Sequence, residues 1–474
     1  MTLFCTYPAM TYFHKSILFS VLLALLLFAM YNHYPLKPAV AKIARSRGAI
    51  NIDDPNLKYE VVASGLKSPT TMAFLGPNDI LVNEKLNGTV QRIIDGKIQP
   101  QPVLDVSVAN KNERGMLGIA AAKPTSANNS NNKSSSPMYV FVSYTETKVE
   151  GSDICPKPSY CEPGHDPLGN RLYRYEFDNN TGKLVNPKLL LDLPAVPGPG
   201  HNAGKIIIGP DNNVYFTIGD VGAYKTETQN FANKPNSNGT SGIYRITQDG
   251  KAVKGIIGDK DPLDKYYAYG FRNTFGIDFD PVTGNLWDTE TGAACCDEIN
   301  LVHPGFNSGW RKVVGFWEVK GNTYGNMVQN PTGLVDFGGK GKYSAPKFVS
   351  LNTTGPTAIK FLNSDKLGKQ YQNDMFVADY HGGNIYHFKL NQNRTGLVLN
   401  GTLADKIANN AQELEDIKFV VGMGAITDLQ VSPYDGYLYV VSFSGGKIYR
   451  ILPATAAAAA GGSGSTTSNS TQTS

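Results

Sequence analysis

From about Asn56 to Arg450 the chain alternates short runs of apolar, aromatic and β-branched residues with turns built from Gly, Pro, Asn and Asp. One unit recurs along it. An apolar strand enters a turn, a second strand of aromatic and β-branched residues follows, and after a variable loop a third strand ends in an Ile/Leu-Tyr-Arg-like motif. The copies fall at residues 72–82 with 88–93, 117–120 with 138–144 and 170–175, 206–217 with 242–246, 276–287 with 297–302, 358–361 with 374–380 and 383–388, and 428–440 with 446–451. Short runs of this kind, bounded by turn residues, predict strands. One unit with room for four strands cannot bury both of its faces, but neighbouring units can. Six such copies predict an all-β, six-bladed β-propeller. A β-sandwich would not produce so regular a unit.

The pattern stops at both ends. His14 and Lys15 precede an apolar run from Ile17 to Tyr31, broken by Ser20, and Ala39-Val40-Ala41 resembles a small-residue cleavage site. The run is long for a signal-peptide core and short for a membrane span. We expect a signal peptide or membrane anchor at 1–41, a linker at 42–55, the propeller at 56–453 and a low-complexity tail at 454–474. The body is then extracytoplasmic, secreted or anchored to the outer face of the cell membrane. Asn-x-Ser/Thr sequons at Asn87, Asn128, Asn132, Asn179, Asn238, Asn352, Asn393, Asn400 and Asn469 fit that side. So does cysteine usage. Outside the leader stand Cys155, Cys161, Cys295 and Cys296, which allow three pairings. Cys155 with Cys161 is the expected bridge, leaving the adjacent Cys295 and Cys296 as a vicinal pair.

Composition narrows the function. Gly 49, Pro 28 and Tyr 25 agree with a turn-rich β protein, and a net charge of +4 with scattered Lys and Arg excludes the basic stripe of a nucleic-acid binder. No dinucleotide fingerprint, phosphate loop or zinc-protease motif is present. One loop stands out: Pro199-Gly-His-Asn-Ala-Gly204, leading straight into an apolar strand. Loops on β scaffolds carry catalytic groups, and a histidine there can take or give a proton.

Four motifs give the chain a resemblance to a known family. They are residues 113–119 (Glu-Arg-Gly-Met-Leu-Gly-Ile), 200–211 with 217–220, 269–276 (Tyr-Gly-Phe-Arg-Asn-Thr-Phe-Gly) with 278–281, and 290–293 with 297–301. With these, residues 56–452 resemble the soluble glucose/sorbosone (aldose sugar) dehydrogenases, six-bladed propellers that use pyrroloquinoline quinone (PQQ) and calcium. The resemblance implies an enzyme that oxidises the anomeric hydroxyl of an aldose to a lactone, with hydride transfer to PQQ. A small-molecule sugar is then the partner, with an unidentified electron acceptor downstream. His201 matches the general base. Arg272 and Asn273 match the pair at the reactive quinone carbonyl, Arg272 stabilising the charge that develops there. Gly292 and Ala293 match the carbonyls that hold calcium, with Asp297 supporting their loop. Glu113 takes the place of a substrate-contacting glutamine, and Asn202 is the second expected substrate contact.

In the same family a lysine and two arginines clamp the quinone's three carboxylates. At those places this chain has His381, and Ala425 with Thr427. His381 and Thr427 are therefore the expected cofactor contacts there, with Lys205, Lys312, Lys340 and Lys342 as cations available to replace the clamp. Two other readings share the fold: a non-enzymatic surface propeller that binds glycan or protein, and a calcium-dependent lactonase-type hydrolase using Glu113, Asn202 and Asp220.

Overall fold

The computed structural model describes residues 49–125, 137–148, 167–196, 198–222, 225–234, 236–321 and 323–454. The leader, Cys155, Cys161, the sequons at Asn128, Asn132 and Asn469, and the tail beyond Ala454 lie outside the described residues. The chain divides into one unit over residues 1–50 and another over 51–474.

The second unit is all-β. Among the described residues there are six sheets of four or more strands and one small three-stranded sheet, Val313–Val314, Trp317–Lys320 and Thr323–Met327. Each of the six sequence copies falls in its own large sheet. The first sheet starts with Pro69–Gly76, the second with Met116–Ala122, the third with Ile206–Ile208, the fourth with Thr274–Phe279, the fifth with Pro356–Phe361 and the sixth with Ile426–Val431. Ladders within a sheet are mostly antiparallel, as hairpin connections require. Leu57–Ser64 enters the sixth sheet against Lys447–Pro453, so a strand that precedes the first sheet in sequence completes the last. Asn51–Ile52, inside the expected linker, pairs with Lys418–Val421 at the edge of the fifth. No helix among the described residues is long and apolar enough to cross a membrane.

Burial explains the strand sequences. In Val214–Ile218, Leu286–Glu290, Met375–Asp379 and Leu438–Ser442 every residue is buried, so these strands are covered on both faces. The outer strand Leu57–Ser64 exposes about half of its positions. The cover comes from neighbouring sheets: one apolar cluster joins Phe141 and Leu172 of the second sheet to Phe216 and Tyr244 of the third. Each sheet touches the next, and Ile426–Val431 of the sixth lies against Pro69–Gly76 of the first.

Polar side chains tie the same seams. Thr71 of the first sheet donates its hydroxyl to the Leu117 carbonyl of the second at 2.9 Å. Ser143 of the second gives its hydroxyl to the Gly204 carbonyl before the third at 2.6 Å. Thr357 of the fifth bonds the Ile426 carbonyl of the sixth at 2.5 Å, and Thr427 of the sixth bonds the Pro69 carbonyl of the first at 3.0 Å. Carboxylates do the converse. Asp278 of the fourth accepts the Phe361 N–H of the fifth at 2.8 Å, and Asp428 of the sixth accepts the Met72 N–H of the first at 3.0 Å. Asp428 also meets Lys205, which enters the third sheet, in an ion pair whose side chains are 5% and 0% exposed. Apart from that pair, these bonds link neighbouring sheets; Lys205–Asp428 joins two that are not neighbours.

The fourth sheet carries an unusual acidic core. Asp288, Glu290 and Glu298 are buried on adjacent strands, with Asp288 opposite Asn300 and Glu290 opposite Glu298. Glu290 accepts the Arg272 N–H and the Ser308 hydroxyl, each at 2.5 Å. Burial nevertheless pushes its carboxyl up to about 7, against the lowering effect of those bonds and of Arg272; nearby Asp220 adds to the rise. Burial raises Asp288 and Glu298 as well, and their charges and that of Glu290 repel one another.

These buried charges make two outcomes measurable. Lys205→Met strands Asp428 without its cation and should cost about 3–5 kcal/mol, read as a lower urea midpoint. Glu290 holds its proton in the folded state between its ordinary 4.5 and about 7, where the unfolded chain has lost it. Stability contributed by this group therefore falls as pH rises through that window. Glu290→Gln should remove up to about 3 kcal/mol of that fall in urea titrations run from acid to neutral pH; an unchanged pH slope would show that Glu290 does not hold the proton.

Candidate functional site

The loop carrying His201 is held in an uncommon shape. His201 has φ 60° and Ala203 φ 47°, both in the left-handed region that side chains resist. Non-glycine residues persist there only when their surroundings over-determine them. Two features do so here. Gly219 brings the second strand of the third sheet against the loop: a Cβ there would lie 2.5 Å from the carbonyl oxygens of both His201 and Arg272, so only glycine fits. Glu113, from the loop before the second sheet, accepts the main-chain N–H of His201 at 2.6 Å and that of Asn202 at 3.2 Å.

Behind the imidazole sits Asp220, 1% exposed. Its Oδ1 lies 2.5 Å from His201 Nδ1 and accepts the Gly222 N–H at 3.0 Å; its Oδ2 accepts the indole N–H of Trp310 at 2.8 Å. Burial alone would raise this carboxyl, but its bond with His201, the charge there and the Trp310 bond hold it below the usual carboxylate range. Asp220 thus stays ionised and fixes the ring with Nε2 as its remaining nitrogen. The Asp220 N–H also donates to the Arg272 carbonyl at 2.9 Å, which joins the histidine loop to the Arg272-Asn273 turn.

Arg272 is anchored by its N–H on Glu290 and by Nη1 on the Thr291 carbonyl at 2.9 Å, with its guanidinium 5.8 Å from the Trp310 ring centre. Asn273 gives Nδ2 to Glu113 at 3.0 Å, while its Oδ1 is buried without a partner. One oxygen of Glu113 therefore receives His201, Asn202 and Asn273 together, and binds loops of three successive sheets. Sequence reasoning placed Glu113 against substrate; the structure makes it first a junction. It missed Trp310, which lies far along the chain in no motif, and gave no role to Glu290, although that residue opens the 290–293 motif.

A cavity of about 330 Å³ opens beside this junction, lined by Glu113, Asn273, Lys85, Lys205, His381 and Thr427 among others. Thus four expected or candidate contacts, Glu113, Asn273, His381 and Thr427, share one space with Lys205. His201 and Arg272 stand next to its wall and are not among the lining residues. Asn202 is kept off it: Nδ2 donates to the Pro199 carbonyl at 2.7 Å and Oδ1 accepts from Asn170 at 3.0 Å, so its side chain serves the loop. Lys340 pairs with Asp259 at 3.8 Å, Lys312 lies over the Phe231 ring, and neither they nor Lys342 line the cavity.

Gly292 and Ala293 follow Thr291, which does line the cavity. Asp297 supports their loop as expected: Oδ1 accepts the Gly292 N–H at 2.9 Å, and Oδ2 accepts the Thr354 and Gly355 N–H groups at 2.5 and 2.9 Å. The sulfurs of Cys295 and Cys296 are joined in the same loop. Among the described residues no three His, Cys, Asp or Glu side chains gather as a metal site. Calcium held through main-chain carbonyls is compatible with that, since calcium takes oxygen ligands of any origin. The side chains of Glu113, Asn202 and Asp220, the set a metal hydrolase would need, are each drawn to other partners.

The quinone fits this cavity in size, since ligand sites of about 300 Å³ and upward are ordinary. It does not fit in charge. PQQ brings three carboxylates, while the lining holds, among the described residues, two lysines and no arginine. Lys205 is paired with Asp428, and Lys85 donates to the carbonyls of Asn112 and Asn110 at 2.7 and 3.5 Å.

Comparison with known proteins places the whole assembly. The chain is 27% identical over 319 residues to quinoprotein glucose dehydrogenase B of Acinetobacter calcoaceticus, covering 64% of this chain and 60% of that protein, less than two thirds of its length. It is 23% identical over 308 residues to an aldose sugar dehydrogenase of Escherichia coli, covering 62% of this chain and 72% of that one. The fold matches the PQQ-bound aldose sugar dehydrogenase of Streptomyces coelicolor with TM-score 0.56 and 21% identity over 86% of this chain and 98% of that one. The apo-form aldose sugar dehydrogenase of E. coli gives TM-score 0.61 and 19% identity over 84% and 99%. The family model described as Glucose / Sorbosone dehydrogenase matches residues 66–450, from the first sheet to the sixth, and the protein therefore belongs to the glucose/sorbosone dehydrogenase family.

Proposed function

We propose that this chain is an exported six-bladed β-propeller that oxidises the anomeric hydroxyl of an aldose to the lactone. The observation that carries the reading is the His201–Asp220 pair, locked by Glu113 to Asn273 at the edge of the cavity. His201, held by a buried ionised carboxylate, takes the proton of the sugar hydroxyl at Nε2. Asp220 fixes the ring and offsets the charge it gains. As the C1=O bond forms, the hydrogen on C1 leaves with its electron pair for a two-electron acceptor bound in the cavity. Asn273 in the cavity lining and Arg272 beside it are the groups proposed to meet negative charge on that acceptor. PQQ and calcium are supported at the level of the family, by its quinoprotein relatives. Export rests on the apolar leader, and anchorage to the membrane is the alternative use of the same segment.

A second reading keeps the cavity and drops the oxidation: a surface propeller that binds a glycan. It is favoured by the lack of a charge match to the quinone.

The full chain, supplied with calcium and a dye acceptor and assayed with and without PQQ, should reduce the dye with at least one aldose. His201→Ala should lower kcat by about 100-fold or more with a smaller change in KM, and Asp220→Asn should lower kcat less. Sugar binding with no dye reduction under either condition would leave the glycan reading and end the enzymatic one.

A further inference from the structure

The cavity's own hydrogen bonds say what kind of ligand it accepts. Five threonines line it, Thr291 and four that bond a neighbouring sheet: Thr70, Thr71, Thr357 and Thr427. Each of the four spends its only O–H on a main-chain carbonyl, those of Met116, Leu117, Ile426 and Pro69, at 3.0, 2.9, 2.5 and 3.0 Å. A hydroxyl has one proton, so these four have no proton left for a ligand and offer it lone pairs only. A carboxylate also accepts only. These four threonines therefore cannot supply the hydrogen bonds that would offset the charge of the carboxylates PQQ would bring.

The formal charges agree. Lys85, Lys205 and Glu113 are the charged residues of the lining, a sum of one positive charge against three carboxylates, and Lys205 already answers Asp428, which lies outside the lining. All four bonds stitch one sheet to the next, so the threonines cannot turn to donate without opening a seam. The side-chain donors at His381 and Tyr380 are exposed. Phe275, Phe443 and Leu117 supply apolar wall. Lys205 gives one N–H to Asp428 and as an ammonium carries three, enough to meet a ligand carbonyl.

We infer that this cavity takes a planar two-electron acceptor without carboxylates, and that PQQ itself is a poor ligand for it. The inference rests on the dehydrogenase reading and specifies its acceptor.

Calorimetry on the full chain with calcium, using PQQ and its trimethyl ester, tests it, because the two share one ring system and differ in charge. The ester should bind at least tenfold more tightly than the acid, with affinity little changed by salt. The variant His381→Lys with Thr427→Arg should narrow or reverse that order by restoring cations. Equal or tighter binding of the acid by the unaltered chain overturns the inference while the dehydrogenase reading stands. Binding of neither overturns it too, and dye reduction by an aldose then decides the dehydrogenase reading separately.

Discussion

A carboxylate buried away from water survives as an ion only if its neighbours answer its charge. Asp220 is that group here. It draws the ring of His201, the indole of Trp310 and the Gly222 N–H onto its two oxygens, while its own N–H holds the Arg272 carbonyl. The His201 loop and Trp310 converge on Asp220 because one charge must be satisfied, and the backbone bond adds the Arg272 turn. The strained φ of His201 and Ala203 is tolerable because Gly219 and Glu113 hold the loop in place.

The packing of sheet on sheet makes that convergence rigid. Apolar clusters fill the seams, and hydroxyl or carboxylate side chains close the backbone groups along them. These seam bonds have a second effect. They fix which protons face the cavity, so the scaffold's own bonding sets what it offers a ligand. Lys205 illustrates it: the residue that supplies a cation to the cavity is also pinned to the sixth sheet by Asp428. A site built from structural bonds has little freedom to answer three added negative charges.

The acidic core of the fourth sheet stands one step behind. Glu290 anchors the Arg272 backbone and lies within the field of Asp220, Asp288 and Glu298. Arg272 is thus positioned by a carboxyl whose charge depends on pH near neutrality. The scaffold and the site are electrostatically continuous there.

The sequence alone determined much of this. Short apolar runs between Gly, Pro, Asn and Asp turns settle strand identity, because run length, β-branched and aromatic content and turn chemistry are local properties. The repeat separates the sheets. Local motifs also marked His201, Glu113, Arg272, Asn273 and the 290–297 loop. Only the tertiary structure decided what these residues do to one another. That Glu113 joins three loops, that Asn202 turns away from the cavity, that Trp310 and Glu290 belong to the site, and that Lys205 is spent on Asp428 all depend on contacts between distant segments. Lys205 and Asp428 are 223 residues apart, and no local pattern encodes such a pairing. A hydrogen bond is decided by which atoms packing brings within reach, and packing is a property of all the sheets together.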